Sequence, residues 1–191
     1  MKIALPAAML ALAAGSVLAE PVTYPIDPAH TYPSFEADHF GGMSVWRGKF
    51  DKTSGTIVLD KQKGTGTVDI TVDTSSIDFG MPKLNEHARS AEMFDVQKYP
   101  TITFKSKKAE SAGQGKVRVT GDLTIHGVTK EAVLDVDGPT PPTPAMGGVR
   151  MGAEATTKIN RKDFGVNGAP AMVGDDIQIT LDVEMTHPAG K

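Results

Sequence analysis

The chain has 191 residues, with 20 Lys and Arg against 23 Asp and Glu, and no cysteine. Without cysteine there is no disulfide, no thiolate metal site, no thiol nucleophile and no lipidated cysteine after a leader. The slightly acidic balance lacks any Lys/Arg block, which argues against a phosphate-backbone binder, so no nucleic-acid partner is expected.

The first nineteen residues read as a secretory signal. Lys2 sits in a short basic start, Ile3 to Leu18 form an Ala- and Leu-rich apolar run, and Val17-Leu18-Ala19 supplies a peptidase site before Glu20. The run is too short and too Ala-rich for a spanning helix. Cleavage leaves residues 20–191 as a single domain of 172 residues. No later stretch approaches the length of apolar chain that a membrane span requires, so an exported, soluble protein is expected. This mature part has five Leu but 15 Val, nine Ile and 19 Thr. β-Branched side chains lose rotamer freedom in helices and fit pleated sheets, which excludes an all-α fold.

Along the chain, apolar residues recur in steps of two. Val68, Ile70 and Val72 alternate with polar residues, then Ile102 and Phe104, then Val117, Val119, Leu123 and Ile125. The longest run is Ile177, Ile179, Leu181, Val183 and Met185. One apolar and one polar face is the pattern of antiparallel strands with one wet side. Gly55, Gly64-Thr65-Gly66, Gly113-Gln114-Gly115 and His126-Gly127 read as turns between them. The spacing predicts an all-β domain over about residues 22 to 187, a sandwich or closed barrel of about eight to ten strands. The low apolar content points to a sheet curled around a modest interior. Phe35, Ile70, Ile102, Phe104, Leu123, Ile179 and Leu181 are expected on the inward face.

Only the stretch from Pro82 to Phe94 breaks this period. Leu84, Ala88, Ala91 and Met93 lie near helical spacing, which predicts one short helix near 83 to 90. Gly138 to Gly148 is Pro-rich and periodless, a loop or hairpin tip.

Motifs of known chemistry are sparse. None of the five histidines forms His-x-His or His-Glu-x-x-His, so no metal site is expected. His126 and His187 are expected to be solvated, while His39 and His87 lie where the strand pattern meets a loop or helix. There is no Gly-x-Ser-x-Gly elbow, and Ser34, Ser44 and Ser90 lack a nucleophile's context. Carboxylates are expected on outward strand faces, and paired acids for glycoside cleavage are left open. Gly41-Gly42 and Gly147-Gly148 are read as turns, since neither opens a helix with Lys-Ser/Thr. No catalytic residue is therefore assigned. Phe79, Met81, Leu84, Met93 and Phe94 form a dense apolar cluster that either plugs a barrel end or lines a mouth.

Four blocks then resemble the YceI-like family. The first is Asp27-Pro28-Ala29-His30-Thr31 leading to Ser34-Phe35 and Asp38-His39. The second runs from Asn85-Glu86-His87-Ala88-Arg89-Ser90 through Met93-Phe94-Asp95 to Lys98-Tyr99-Pro100 and Phe104. Gly121-Asp122-Leu123-Thr124 with Gly127-Val128-Thr129-Lys130 resembles the family's central hairpin. Arg161-Lys162-Asp163-Phe164-Gly165 with Val173-Gly174-Asp175 resembles its C-terminal signature. The sequence departs from the family pattern at Ala88, where many relatives have leucine, and at Phe79 before Gly80.

The resemblance implies a lipocalin-like antiparallel β-barrel of about eight strands, with one short helix and an internal apolar cavity. It implies a periplasmic binder of a polyisoprenoid, isoprenoid quinone or related amphiphile, with no cofactor beyond that lipid. An enzyme acting on a prenyl-type lipid and a structural stress protein with a filled barrel are the alternatives. On the barrel reading, Phe35, Phe40, Ile70, Ile77, Phe79, Leu84, Met93, Phe94, Ile102 and Phe104 line the apolar tunnel. His39, His87 and Arg89 face the polar head group. The competing role for His87 and Arg89 is to tie the helix to the barrel through backbone carbonyls. Transient membrane contact and a homodimer are left open as partners.

Overall fold

The alternating runs fold as antiparallel strands of one curled sheet. The computed structural model describes residues 20–60 and 62–188, so the signal reading lies outside the described residues. The first half of the chain holds β1 (Val22–Pro25), β2 (Tyr32–His39), β3 (Ser44–Phe50), β4 (Thr53–Asp60), β5 (Thr65–Asp73) and β6 (Ile77–Asp78). A helix, α1 (Pro82–Arg89), separates these from β7 (Thr101–Gly113), β8 (Lys116–Ile125) and β9 (Val128–Asp137). A short β10 (Thr143–Ala145), then β11 (Gly148–Asn160) and β12 (Val173–Pro188), complete the fold.

Eight of these strands make a ring. Hydrogen bonds connect β1, β4, β5, β7, β8, β9, β11 and β12 in that order, and Ile26, just past β1, bridges Met185 of β12. From β12 the sheet continues through β2 and β3, which also wall the interior, to β6, while β10 pairs with β11. The seam between β1 and β12 is thin in backbone bonds and is reinforced by side chains. Asp27 N donates to Glu184 O at 2.7 Å. The fully buried Thr31 hydroxyl donates to Glu184 O at 3.3 Å and accepts from Glu184 N at 3.1 Å.

The twelve strands exceed the eight to ten expected because β1, β6 and β10 are too short to show a period. Gly55 and Gly66, read as turn residues, lie inside β4 and β5. A Cβ on Gly55 would collide with Asp69 O of the neighbouring strand, so the glycine serves a close backbone approach rather than a reversal. Gly148 likewise opens β11. Neither His126 nor His187 is fully solvated. His126 lies half-buried beneath Tyr99, ring centroids 4.1 Å apart, and His187 of β12 packs against Tyr24 at 5.4 Å.

Candidate functional site

The inward faces converge on a cavity of about 630 Å³. Phe35, Ile70, Ile102, Phe104, Leu123, Ile179 and Leu181 all line it, as the alternation requires. On β11 the same alternation brings Met151, Ala153, Ala155 and Thr157 to the wall, opposite Met185, Val183, Leu181 and Ile179 of β12. The two alanines pair with Val183 and Leu181, so small side chains stand beside large ones along this wall. Periodicity does not single out this stretch, because alanine and threonine carry a weak apolar signal.

Glycines seat the aromatic walls. A Cβ on Gly48 of β3 would stand 2.5 Å from Phe35 Cζ and 2.9 Å from Phe79 Cε1. A Cβ on Gly121 of β8 would stand 2.6 Å from Phe104 Cζ and 2.5 Å from the Lys105 carbonyl oxygen. The rings therefore lie close over bare backbone.

One end of the barrel is crossed by α1 and the turn after it. Pro82 begins the helix and Met81 caps it without a side-chain bond, so its anchorage comes from Asn85 and Arg89. Asn85 Oδ1 accepts from Phe79 N at 2.7 Å, and its amide donates to Asp78 Oδ1 at 2.7 Å. That bond, with one from Gly80 N, lowers the pKa of Asp78. Arg89 donates to the carbonyls of Ser75 at 2.7 Å and Ile77 at 2.9 Å. So fixed, the segment turns Leu84, His87, Ala88, Met93 and Phe94 toward the cavity.

Of the ten residues expected along the tunnel, Phe35, Ile70, Phe79, Leu84, Met93, Phe94, Ile102 and Phe104 line it. Phe40 and Ile77 fall outside the lining. Phe40 is at the β2–β3 turn and 49% exposed, whereas Ile77 is wholly buried, in the same core cluster as Ala88. Met81 of the apolar cluster is also outside it, and exposed. Of the three head-group residues, only His87 lines the cavity, with its Nδ1 4.0 Å from Glu92 Oε2. His39 stacks on Trp46 at 4.2 Å and reaches Ser44 Oγ at 3.2 Å. Arg89 takes the helix-tying role through its two carbonyls.

Trp46, Met172 and Arg161 also line the cavity; Arg161 opens the block that resembles the family's C-terminal signature, whereas no sequence pattern singles out Trp46 or Met172. Arg161 is buried and fully partnered. It donates to the carbonyls of Gly174 (3.0 Å), Val166 (3.0 Å), Gly168 (2.6 Å) and Val173 (3.0 Å), and to Asp175 Oδ1 at 3.3 Å. Lys162, at 2.8 Å, and then Arg161 lower the pKa of the Asp175 carboxyl. This clamp fixes the loop of residues 165–172, and no N–H of the guanidinium remains for a ligand.

Asp27, His30 and Glu184 bring potential ligand atoms within 4.8 Å of one another. Arg150 already supplies the cation between the two carboxylates, at 2.6 Å from Asp27 and 2.9 Å from Glu184. The group is an ion-pair cluster at the seam. Among the described residues, neither His39 nor His87 joins a group of three potential ligands.

A curled antiparallel sheet, one helix across its end and an apolar interior already narrow the choice of family. The family model of the YceI-like domain matches residues 24–185. The chain belongs to the YceI-like family. A UPF0312 protein of Vibrio parahaemolyticus is 36% identical over 170 residues, covering 87% of this chain and 89% of the relative. The crystal structure of Burkholderia cenocepacia BcnA superposes with a TM-score of 0.73 at 26% identity, covering 83% of this chain and 98% of that one. A polyisoprenoid binding domain from Saccharophagus degradans, implicated in plant cell wall breakdown, has a TM-score of 0.64 at 14% identity. It covers 86% of this chain and 98% of its own, and at that identity the likeness is one of fold. The four sequence blocks thus sit on a family fold, and the helix end and clamp loop are where the second and fourth blocks lie. Among the described residues, no helix is long and apolar enough to cross a membrane.

Proposed function

We propose that the protein binds a long-chain amphiphile, a polyisoprenoid, isoprenoid quinone or related lipid, and sequesters or carries it in the periplasm. The cavity carries this reading: about 630 Å³ of space walled by Phe, Ile, Leu, Val and Met side chains, within the usual range for small-molecule sites. Each methylene moved from water into such a space contributes about 0.8 kcal/mol. A chain of several isoprene units is then held without a catalytic group. The polar head belongs beside His87, the one head-group candidate that touches the cavity. Membership of the family supports a binding protein rather than an enzyme, and the name of the S. degradans domain agrees with the ligand class. The secretory signal read in residues 1–19 and the family resemblance both support the periplasmic location.

The test is to extract the purified protein with organic solvent, refold it and titrate it with geranylgeraniol. Saturable uptake at one molecule per chain supports binding. No uptake favours a structural protein, and steady conversion of the added alcohol to a new product makes it an enzyme.

A further inference from the structure

Seven rings form an unbroken line from the cavity to the surface. Phe94 meets Phe50 edge-on with centroids 5.8 Å apart, Phe50 meets Phe35 at 5.7 Å, and Phe35 meets Phe79 at 5.5 Å. Phe79 faces Trp46 at 6.3 Å, Trp46 stacks on His39 at 4.2 Å, and His39 lies against Phe40 at 4.4 Å. The first five of these line the cavity, and the last is half in solvent.

The outer end of this line is unusual for a hairpin tip. Turns favour polar residues that can satisfy their own backbone, yet this one reads Phe40-Gly41-Gly42-Met43, with Met43 79% exposed. Phe40 adopts a left-handed φ of 51°, a conformation that bulky side chains rarely hold. Its N–H donates to the carbonyl of Met172 at 2.9 Å, and Met172 is both exposed and part of the cavity wall. Trp46, Leu84, His87 and Met93 are likewise part-exposed and cavity-lining at this end. The opposite end is lined by Gly64, Thr65, Ser111, Pro139, Thr140 and Pro142. These offer backbone, hydroxyls and small rings in place of a continuous apolar track.

We propose that the tip of the β2–β3 hairpin, with Met172, is the portal through which the apolar chain enters and leaves, and that the ring line is its track. Aromatic and thioether side chains suit such a passage, because they bury a moving chain at each step and adapt to its shape. The portal presupposes the amphiphile-binding function proposed above.

Because the chain has no cysteine, single sites can be labelled cleanly. Met43→Cys places a thiol at the portal and Met146→Cys one at the β10–β11 turn near the other end; both side chains are exposed, so neither change threatens folding. Each is biotinylated with a maleimide and capped with streptavidin. Uptake and release of NBD-labelled geranylgeraniol are then followed by NBD fluorescence. The expected result is that the Met43→Cys conjugate loads and unloads more slowly by about tenfold or more, as for a gated site. Protein loaded before capping keeps its probe, and the Met146→Cys conjugate matches the unlabelled protein. Equal slowing in both, slowing in neither, or slowing only at Met146→Cys overturns the portal while leaving binding intact. No uptake by the unlabelled protein overturns the binding function, and the portal falls with it.

Discussion

The Arg150 guanidinium holds the Asp27 carboxylate at 2.6 Å across the β1–β12 seam, joining residues 123 positions apart. Arg150 first, then His30 and Ala29 N, lower the Asp27 pKa from 3.8 to about 2. A carboxyl whose pKa is lower folded than unfolded adds stability that is fully present above the unfolded value. That stability is lost as pH falls through the folded one. Asp27→Asn should therefore cost about 1–2 kcal/mol in urea unfolding at pH 6, as loss of a charge-assisted hydrogen bond does. The gap between variant and parent should close between pH 4 and pH 2. A gap that persists at pH 2 would mean the aspartate acts through shape alone.

Arg161 presents a sterner case, since its donors satisfy four backbone carbonyls around a single loop. Arg161→Met leaves those carbonyls without partners and should cost about 3–5 kcal/mol in urea unfolding. Arg161→Lys should recover only a small part, because an ammonium cannot reproduce the planar fork. Full recovery by lysine would show that charge, not geometry, holds the loop.

Much of the fold was legible because the inward residues of β5, β7, β8 and β12 alternate with polar ones. The helix, expected near 83 to 90, spans Pro82–Arg89. The interior face was read from the same signal, and all seven residues assigned to it line the cavity. The seam was not legible, because β1 has four residues and its closure rests on Ile26, Thr31 and Asp27 meeting β12 from far along the chain. Nor could spacing show that Arg89 faces two backbone carbonyls and His87 the cavity, two positions apart on one helix. Arg89's acceptors lie just before β6 and at its first residue, which no local pattern announces. Ile77 illustrates the same limit: its apolar character is clear, but its place in the packed core rests on pairing with Phe50 and clustering with Ala88 of α1.

Gly121 and Gly48 separate backbone from side-chain crowding. A methyl at Gly121 meets the Lys105 carbonyl and the Ser106 Cα, at 2.5 and 2.8 Å, which cannot swing aside. Gly121→Ala should destabilise by about 1–3 kcal/mol in urea unfolding. At Gly48 the obstacles are the tips of Phe35 and Phe79, which can rotate into the cavity. Gly48→Ala should cost less stability and more bound lipid, measured as geranylgeraniol retained per chain.

Phe94 and Leu84 line the cavity from the helix end and are only half-buried. Phe94→Ala and Leu84→Ala in lipid-free protein should cost less than the roughly 2–5 kcal/mol of a fully packed deletion. Both should lower lipid retention. Phe104→Asp, at a position 6% exposed, should abolish folding and binding together, since a carboxylate cannot be left unpaired in a dry interior. Full stability loss with full lipid occupancy in Phe94→Ala would make that ring packing alone.

The claim that the cavity holds an amphiphile is tested most directly by native mass spectrometry of the protein purified without organic solvent. The account predicts one apolar adduct per chain, removed by solvent extraction and restored by added geranylgeraniol. A bare polypeptide mass that stays bare after the prenyl alcohol is added would contradict it.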